Sequence, residues 1–303
     1  MKFAHIINPV QVPEHSELGI AQPITLESIR VARNFAENEP EVALYAVGYP
    51  EDRAMIPEYF TMLPYLHRSV QDVGKFTGNK KYPLLGDVLK AVYDADPADY
   101  LIYTNMDIAL MPGFYKAIAQ VISSGQHDAL LVNRRGLSEK YTSPEQLPLM
   151  YADMGSPHPG FDCFVFKREL FPRFILTNIC LGVSFSEVAM VHNFIAFAQN
   201  LKLIDDLHLT FHRGKEVMPP LNPEYYQHNR TSYERDIYPA IKHLLVLEKF
   251  PYSQLPWPKR MLKWMLNPSF RTHQLVELEG KSLFRRFKFQ LDSIRFLILE
   301  KLR

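Results

Sequence analysis

Apolar and polar positions along this chain fall into blocks that predict strands and helices in turn. Lys2 to Val10 (KFAHIINPV) reads as a buried first strand closed at Asn8-Pro9, and Glu41 to Tyr49 (EVALYAVGY) as a second strand closed by Pro50. Between them, Gln11 to Pro23 reads as a loop. Thr25 reads as a helix N-cap, and Leu26, Ile29, Val31, Ala32 and Phe35 as a helical apolar stripe. Glu51 to Asn79 is irregular, with Pro57, Pro64, Gly74 and Gly78, and a connection that long usually serves function or mobility. A helix over Leu84 to Ala95 leads to an apolar strand at Tyr100 to Tyr103, and a further helix follows from Phe114 to Ser124. Asp128 to Asn133 is expected as a strand ending at Arg134-Arg135, and Gly136 to Pro157 as a second long connection. A short strand after Asp162 carries Phe164 and Phe166 into the core. A helix over Val183 to Asn200 and a last strand over Leu201 to Phe211 complete the pattern. Helix and strand alternate throughout, which predicts an α/β protein with a Rossmann-like, mostly parallel central sheet. No GxGxxG dinucleotide fingerprint accompanies the β-α-β opening.

Composition narrows the classes. The 303 residues are 47% hydrophobic and 22% charged, enough for one large domain with an appendage or for two small ones. A net charge of +1 argues against a general nucleic-acid binder. The charge is uneven, however. From Pro251 onward eleven Lys and Arg stand against four Asp and Glu, which leaves residues 1–250 at −6. The expected organisation is therefore a main domain over 1–250 and a basic, aromatic-rich helical tail over 251–303. Cys163 and Cys180 belong to no CxxC, so neither a disulfide framework nor a zinc site is implied. Asn8, Pro9 and Pro13 interrupt any signal-peptide core, and no run approaches the ~20 apolar residues of a membrane span. A cytoplasmic location is expected.

The most informative stretch is Tyr100 to Tyr115 (YLIYTNMDIALMPGFY). Its apolar strand stops at polar residues, and in open α/β sheets ligands sit outside the carboxyl ends of strands. Asn105 and Asp107, two apart, are expected to face one ligand together. A carboxylate beside an amide oxygen there suits a hard divalent cation that bridges to phosphate oxygens.

This Asn-x-Asp resembles the Asp-x-Asp region of nucleotide-sugar-dependent glycosyltransferases of the GT-A fold, with uncharged Asn105 in place of the first carboxylate. The resemblance covers about residues 1–250 as architecture. The segment HPGFDCFVFKREL (His158 to Leu170) resembles the family's acceptor-side element, and LTFHRG resembles its late histidine segment. It implies a donor diphosphate held by Mn²⁺ or Mg²⁺ through Asp107, assisted by Asn105 and His212. Asn8, Arg134 and Arg135 would join the donor site. Arg pairs match phosphate oxygens, and Asn8 falls where the family contacts the nucleotide. Asp162 is the expected base toward the acceptor hydroxyl, with Glu187 in reserve. The implied partners are a nucleotide-sugar donor and a glycan or lipid-linked acceptor, with no nucleic acid.

Two rivals stand beside this reading: a nucleotidyltransferase of related fold, and a catalytically inactive nucleotide-sugar-binding module. In the tail, Trp257 and Trp264 precede Phe284, Phe287 and Leu291, which are spaced i, i+3 and i+7 among bases. That pattern suits either an interfacial helix at the inner face of a membrane or a helix packed on the main domain.

Overall fold

A computed structural model describes residues 1–214, 222–271 and 274–275. Nine strands form one sheet in the order β3-β2-β1-β4-β7-β6-β9-β5, with β8 also paired to β6. They are β1 (Lys2–Ile7), β2 (Glu41–Ala46), β3 (Thr61–Met62), β4 (Tyr100–Thr104), β5 (Ile108–Leu110), β6 (Ala129–Leu137), β7 (Ser156–Lys167), β8 (Leu201–Ile204) and β9 (Thr210–Arg213). Only β5 and β7 run against the rest. The chain thus adopts the Rossmann-like, mostly parallel α/β arrangement that the alternation of strands and helices predicts.

The reason lies in the strands' two-sided burial. β4 is buried at all five positions. Tyr100 and Ile102 join a core layer with Phe3, Leu130, Val132 and Val165, whereas Leu101 and Tyr103 join the opposite layer with Ala4, Ile6, Leu131 and Phe164. Alternate residues thus feed two cores, and a sheet covered on both faces needs continuous apolar strands rather than alternating ones. Helices α1 (Glu17–Ala36) and α3 (Phe114–Gly125) supply apolar residues to the first layer. Helices α2 (Leu85–Ala95) and α5 (Ser186–Phe197) supply the second.

Several boundaries differ from expectation. Helix α1 begins at Glu17, because the Ser16 hydroxyl accepts from the Gly19 amide (3.0 Å) and caps it. Thr25 is a buried interior residue rather than the cap, and Pro23 lies inside the helix. The last predicted strand divides into β8 and β9, both parallel to β6, and His212 falls inside β9 rather than after it. The connection over 136–157 contains α4 (Leu147–Ala152). Strand β7 starts at Ser156, well before Asp162. Pro157 and Pro159 are tolerated because β7 pairs with β4 only from Cys163 onward. At the prolines its one paired neighbour is β6, with register shifts nearby.

The tail's first part is core. α5 is buried at every position except Glu187, so something must cover its outer side. The segments from α6 (Pro223–Thr231) through α7 (Tyr238–Ile241) to α8 (Trp257–Leu266) provide that cover. Tyr233, Ile241, Phe250, Trp264, Phe270 and Leu275 share one apolar cluster with α5. Trp264 is wholly buried, and its indole N–H donates to the Pro251 carbonyl (2.8 Å). Phe284, Phe287 and Leu291 lie outside the described residues.

Candidate functional site

The carboxyl ends of β1, β2 and β4 open on the same edge of the sheet, because these strands run parallel side by side. Their termini are tied together by side chains. The Asn8 amide donates to the Val47 carbonyl (2.6 Å), so it joins the ends of β1 and β2. The buried Asp52 carboxylate accepts from the Gln11 and Tyr49 amides (2.8 and 3.0 Å) and fixes the loops beyond.

After β4 the chain does not continue as a strand. Ile108 donates its amide to the Asn105 carbonyl (3.1 Å), which closes a turn over Asn105-Met106-Asp107. Asn105 and Asp107 therefore address different partners, contrary to the expectation that they face one ligand together. The Asn105 side chain accepts from the Tyr103 hydroxyl (3.0 Å) and donates to Asp162 (3.1 Å). Asp107 meets the His212 imidazole at 3.3 Å, because β9 pairs His212 with Ile108. This pair is reachable from solvent: the Asp107 side chain is 35% exposed and that of His212 16%. Burial pushes the Asp107 carboxyl up, but the His212 hydrogen bond and the charges of His212 and Arg134 outweigh it and hold the carboxyl below its ordinary value.

Asp162 sits behind this pair. One of its oxygens accepts from Asn105 and the other from Arg134, and both members of the ion pair are buried. Burial pushes the Asp162 carboxyl up and the nearby Asp107 charge adds to the rise, while the Arg134 charge opposes it. Arg134 and Arg135 lie within β6 rather than at its end, and they diverge. Arg135 donates to the Met154 and Gly155 carbonyls, so the two guanidinium groups do not form one clamp.

Glu187 stands in the first turn of α5, and it is the one residue of that helix not fully buried. Burial pushes its carboxyl up to about 7, helped by the Asp162 charge and opposed by backbone hydrogen bonding and Arg134. The residue that opens the helix, Phe185, has φ +83°, a left-handed backbone that costs a phenylalanine about 1–3 kcal/mol. Its ring packs against Tyr226 and Tyr233 at 5.6 and 5.5 Å, which holds the strained entry in place.

The structure thus joins Asn105, Asp107, Arg134, Asp162, Glu187 and His212 in one electrostatic neighbourhood. Asn8 lies at a neighbouring strand end, tied to Val47. Three contributors escaped the sequence reading: Tyr103, which orients Asn105; Asn133, whose amide donates to the His158 carbonyl (3.1 Å); and His158, whose ring accepts from Gly160 (2.9 Å). Tyr103 left a signal as a hydroxyl two residues before the motif at a buried strand end, and His158 as the first residue of the segment His158 to Leu170; Asn133 left none beyond its place at a strand end.

No family of proteins matches the chain by sequence pattern, and no curated protein matches it by sequence. Similarity to solved structures does exist. The S. aureus TarS fragment 1-349 in complex with UDP-GlcNAc superposes with TM-score 0.48 at 11% identity, over 92% of this chain and 84% of that one. M. tuberculosis glucosyl-3-phosphoglycerate synthase superposes with TM-score 0.40 at 11% identity, over 75% and 77%. Its complex with Mn²⁺, UDP-glucose and phosphoglyceric acid gives 0.37 at 11% identity, over 71% and 73%. Likenesses of this size leave the chemistry to be read from the site itself.

Among the described residues no three His, Cys, Asp or Glu side chains converge as a metal cage. A carboxylate and an imidazole in contact do suit a cation that completes its sphere with phosphate oxygens and water. Asn105 suits the role less, since both ends of its amide are engaged.

Proposed function

We propose that this chain is a glycosyltransferase that moves a sugar from a nucleotide-diphosphate donor to a glycan or lipid-linked acceptor, with Mn²⁺ or Mg²⁺. The observation that carries the proposal is the Asp107–His212 contact beyond the carboxyl end of β4, which shares Asp162 and Arg134 as charged neighbours with Glu187, a carboxylate that burial raises to about 7. Asp107 and His212 would hold the ion. When bound, it would offset the charge that develops on the leaving diphosphate. Glu187 is the stronger base than Asp162, because both Asp162 oxygens are engaged and Glu187 is the more accessible. In this reading Glu187 takes the acceptor hydroxyl proton as that oxygen bonds to the anomeric carbon. The bond from that carbon to the diphosphate oxygen breaks, and a nucleoside diphosphate leaves. Asp162 is a positioning residue, gripping Arg134 and Asn105 behind the reacting groups. Residues 1–250 would carry this chemistry, and the described residues after Pro251 would support it by covering α5.

The test is thermal shift with a panel of nucleotide sugars, with and without Mn²⁺. One donor should stabilise the protein in a metal-dependent way. Asp107→Asn should abolish that response with the fold intact, and His212→Ala should weaken it less. An unchanged response in Asp107→Asn refutes the assignment. Release of pyrophosphate rather than nucleoside diphosphate would favour nucleotidyl transfer, and donor binding without turnover would favour a binding module.

A further inference from the structure

Helix α8 has two apolar sides. Met261 and Trp264 point inward and are buried. Leu262, Met265 and Leu266 point outward and are 60%, 47% and 57% exposed. At 100° per residue these three, with exposed Pro258, form a continuous outer band. Lys259 and Lys263 border it on one side, and Lys263 also lies 5.0 Å over the Tyr252 ring. The helix carries no acidic residue. Three large apolar side chains exposed together on a helix that already has a core face mark an interaction site rather than ordinary surface.

We infer that the outer face of α8 seats on an anionic membrane surface and presents the candidate site to an acceptor at that surface. Charge selects the occupant, since lysines beside an apolar band match anionic headgroups above an acyl layer. Position supports it. Asn267, the C-cap of α8, donates its side-chain amide to the Pro159 carbonyl on β7, three residues before Asp162. Phe270, just beyond, meets Phe161 edge-on at 5.4 Å. A surface that grips α8 therefore lies next to the strand that carries Asp162. The acceptor half of this inference rests on the glycosyltransferase reading; the membrane half does not.

The experiment is co-sedimentation of the full chain with vesicles of phosphatidylcholine alone and with added phosphatidylserine, at low and high salt. Binding should require phosphatidylserine and weaken with salt. Lys259→Glu with Lys263→Glu should lower the partition coefficient by at least about 30-fold, since each cation near the surface is worth about 1 kcal/mol, a fivefold change. Leu262→Ser with Leu266→Ser should also lower it, with an unchanged thermal midpoint because both positions are exposed. Equal binding by the lysine variant, or none by the native chain, overturns the inference. So does a concentration-dependent dimer that Leu262→Ser disrupts, which would make this face a contact between copies. The readout needs no donor and no turnover, so it can fail while the glycosyltransferase reading stands, and the reverse.

Discussion

Glu187→Gln separates catalytic from structural roles because activity and stability should move in opposite directions. Burial raises the Glu187 carboxyl from 4.5 to about 7. At 1.36 kcal/mol per pH unit, that gap corresponds to about 3 kcal/mol. Water reaches this half-buried group, which trims the expected effect to about 1–3 kcal/mol. The sign follows from proton binding. The folded state holds the proton more tightly than the unfolded state, so ionisation destabilises the fold. This cost is absent below pH 4.5, grows as pH rises, and is complete above pH 7. The glutamine variant cannot ionise. It should therefore be more stable than the native chain at pH 8, by about 1–3 kcal/mol in urea unfolding, and the two should converge near pH 4.5. Turnover should fall by about 10²–10⁴-fold at pH 8, as expected for loss of a general base, with donor affinity retained. Native turnover should rise with pH through about 7, and the variant should lack that limb. A variant less stable at pH 8 would show that burial does not strain Glu187, and one that keeps the native pH profile would show that Glu187 is not the base.

Other expectations follow from the packing. Asp162→Asn removes one partner of a buried ion pair and should cost about 3–5 kcal/mol in urea unfolding; a loss below about 1 kcal/mol would return Asp162 to the role of accessible base. Trp264→Ala should cost about 3–5 kcal/mol, as for a large buried aromatic, and a near-neutral result by thermal melting would show that the start of the tail is not core.

Read alone, the chain already determined the class of the fold, and it pointed to the strand ends as the place to look for a site. Continuous apolar runs at Lys2 and Tyr100 are what doubly covered strands require, and polar residues at their carboxyl ends are where an open sheet binds ligands. Local sequence could not decide which side chains meet. The Asn105–Ile108 hydrogen bond turns the motif and sends Asn105 to Asp162 and Asp107 to His212, over separations of 57 and 105 residues. Arg134 and Arg135 look like a pair in sequence, yet adjacent residues of a strand point to opposite faces, so only Arg134 reaches the site. Sequence places Glu187 only in reserve behind Asp162. Its raised carboxyl comes from burial and from the Asp162 charge, which the fold brings near from 25 residues earlier in the chain. Apolar pattern reports what each segment must hide, and that is local. Partnership and burial depend on which distant segments do the hiding, and only the folded chain decides that.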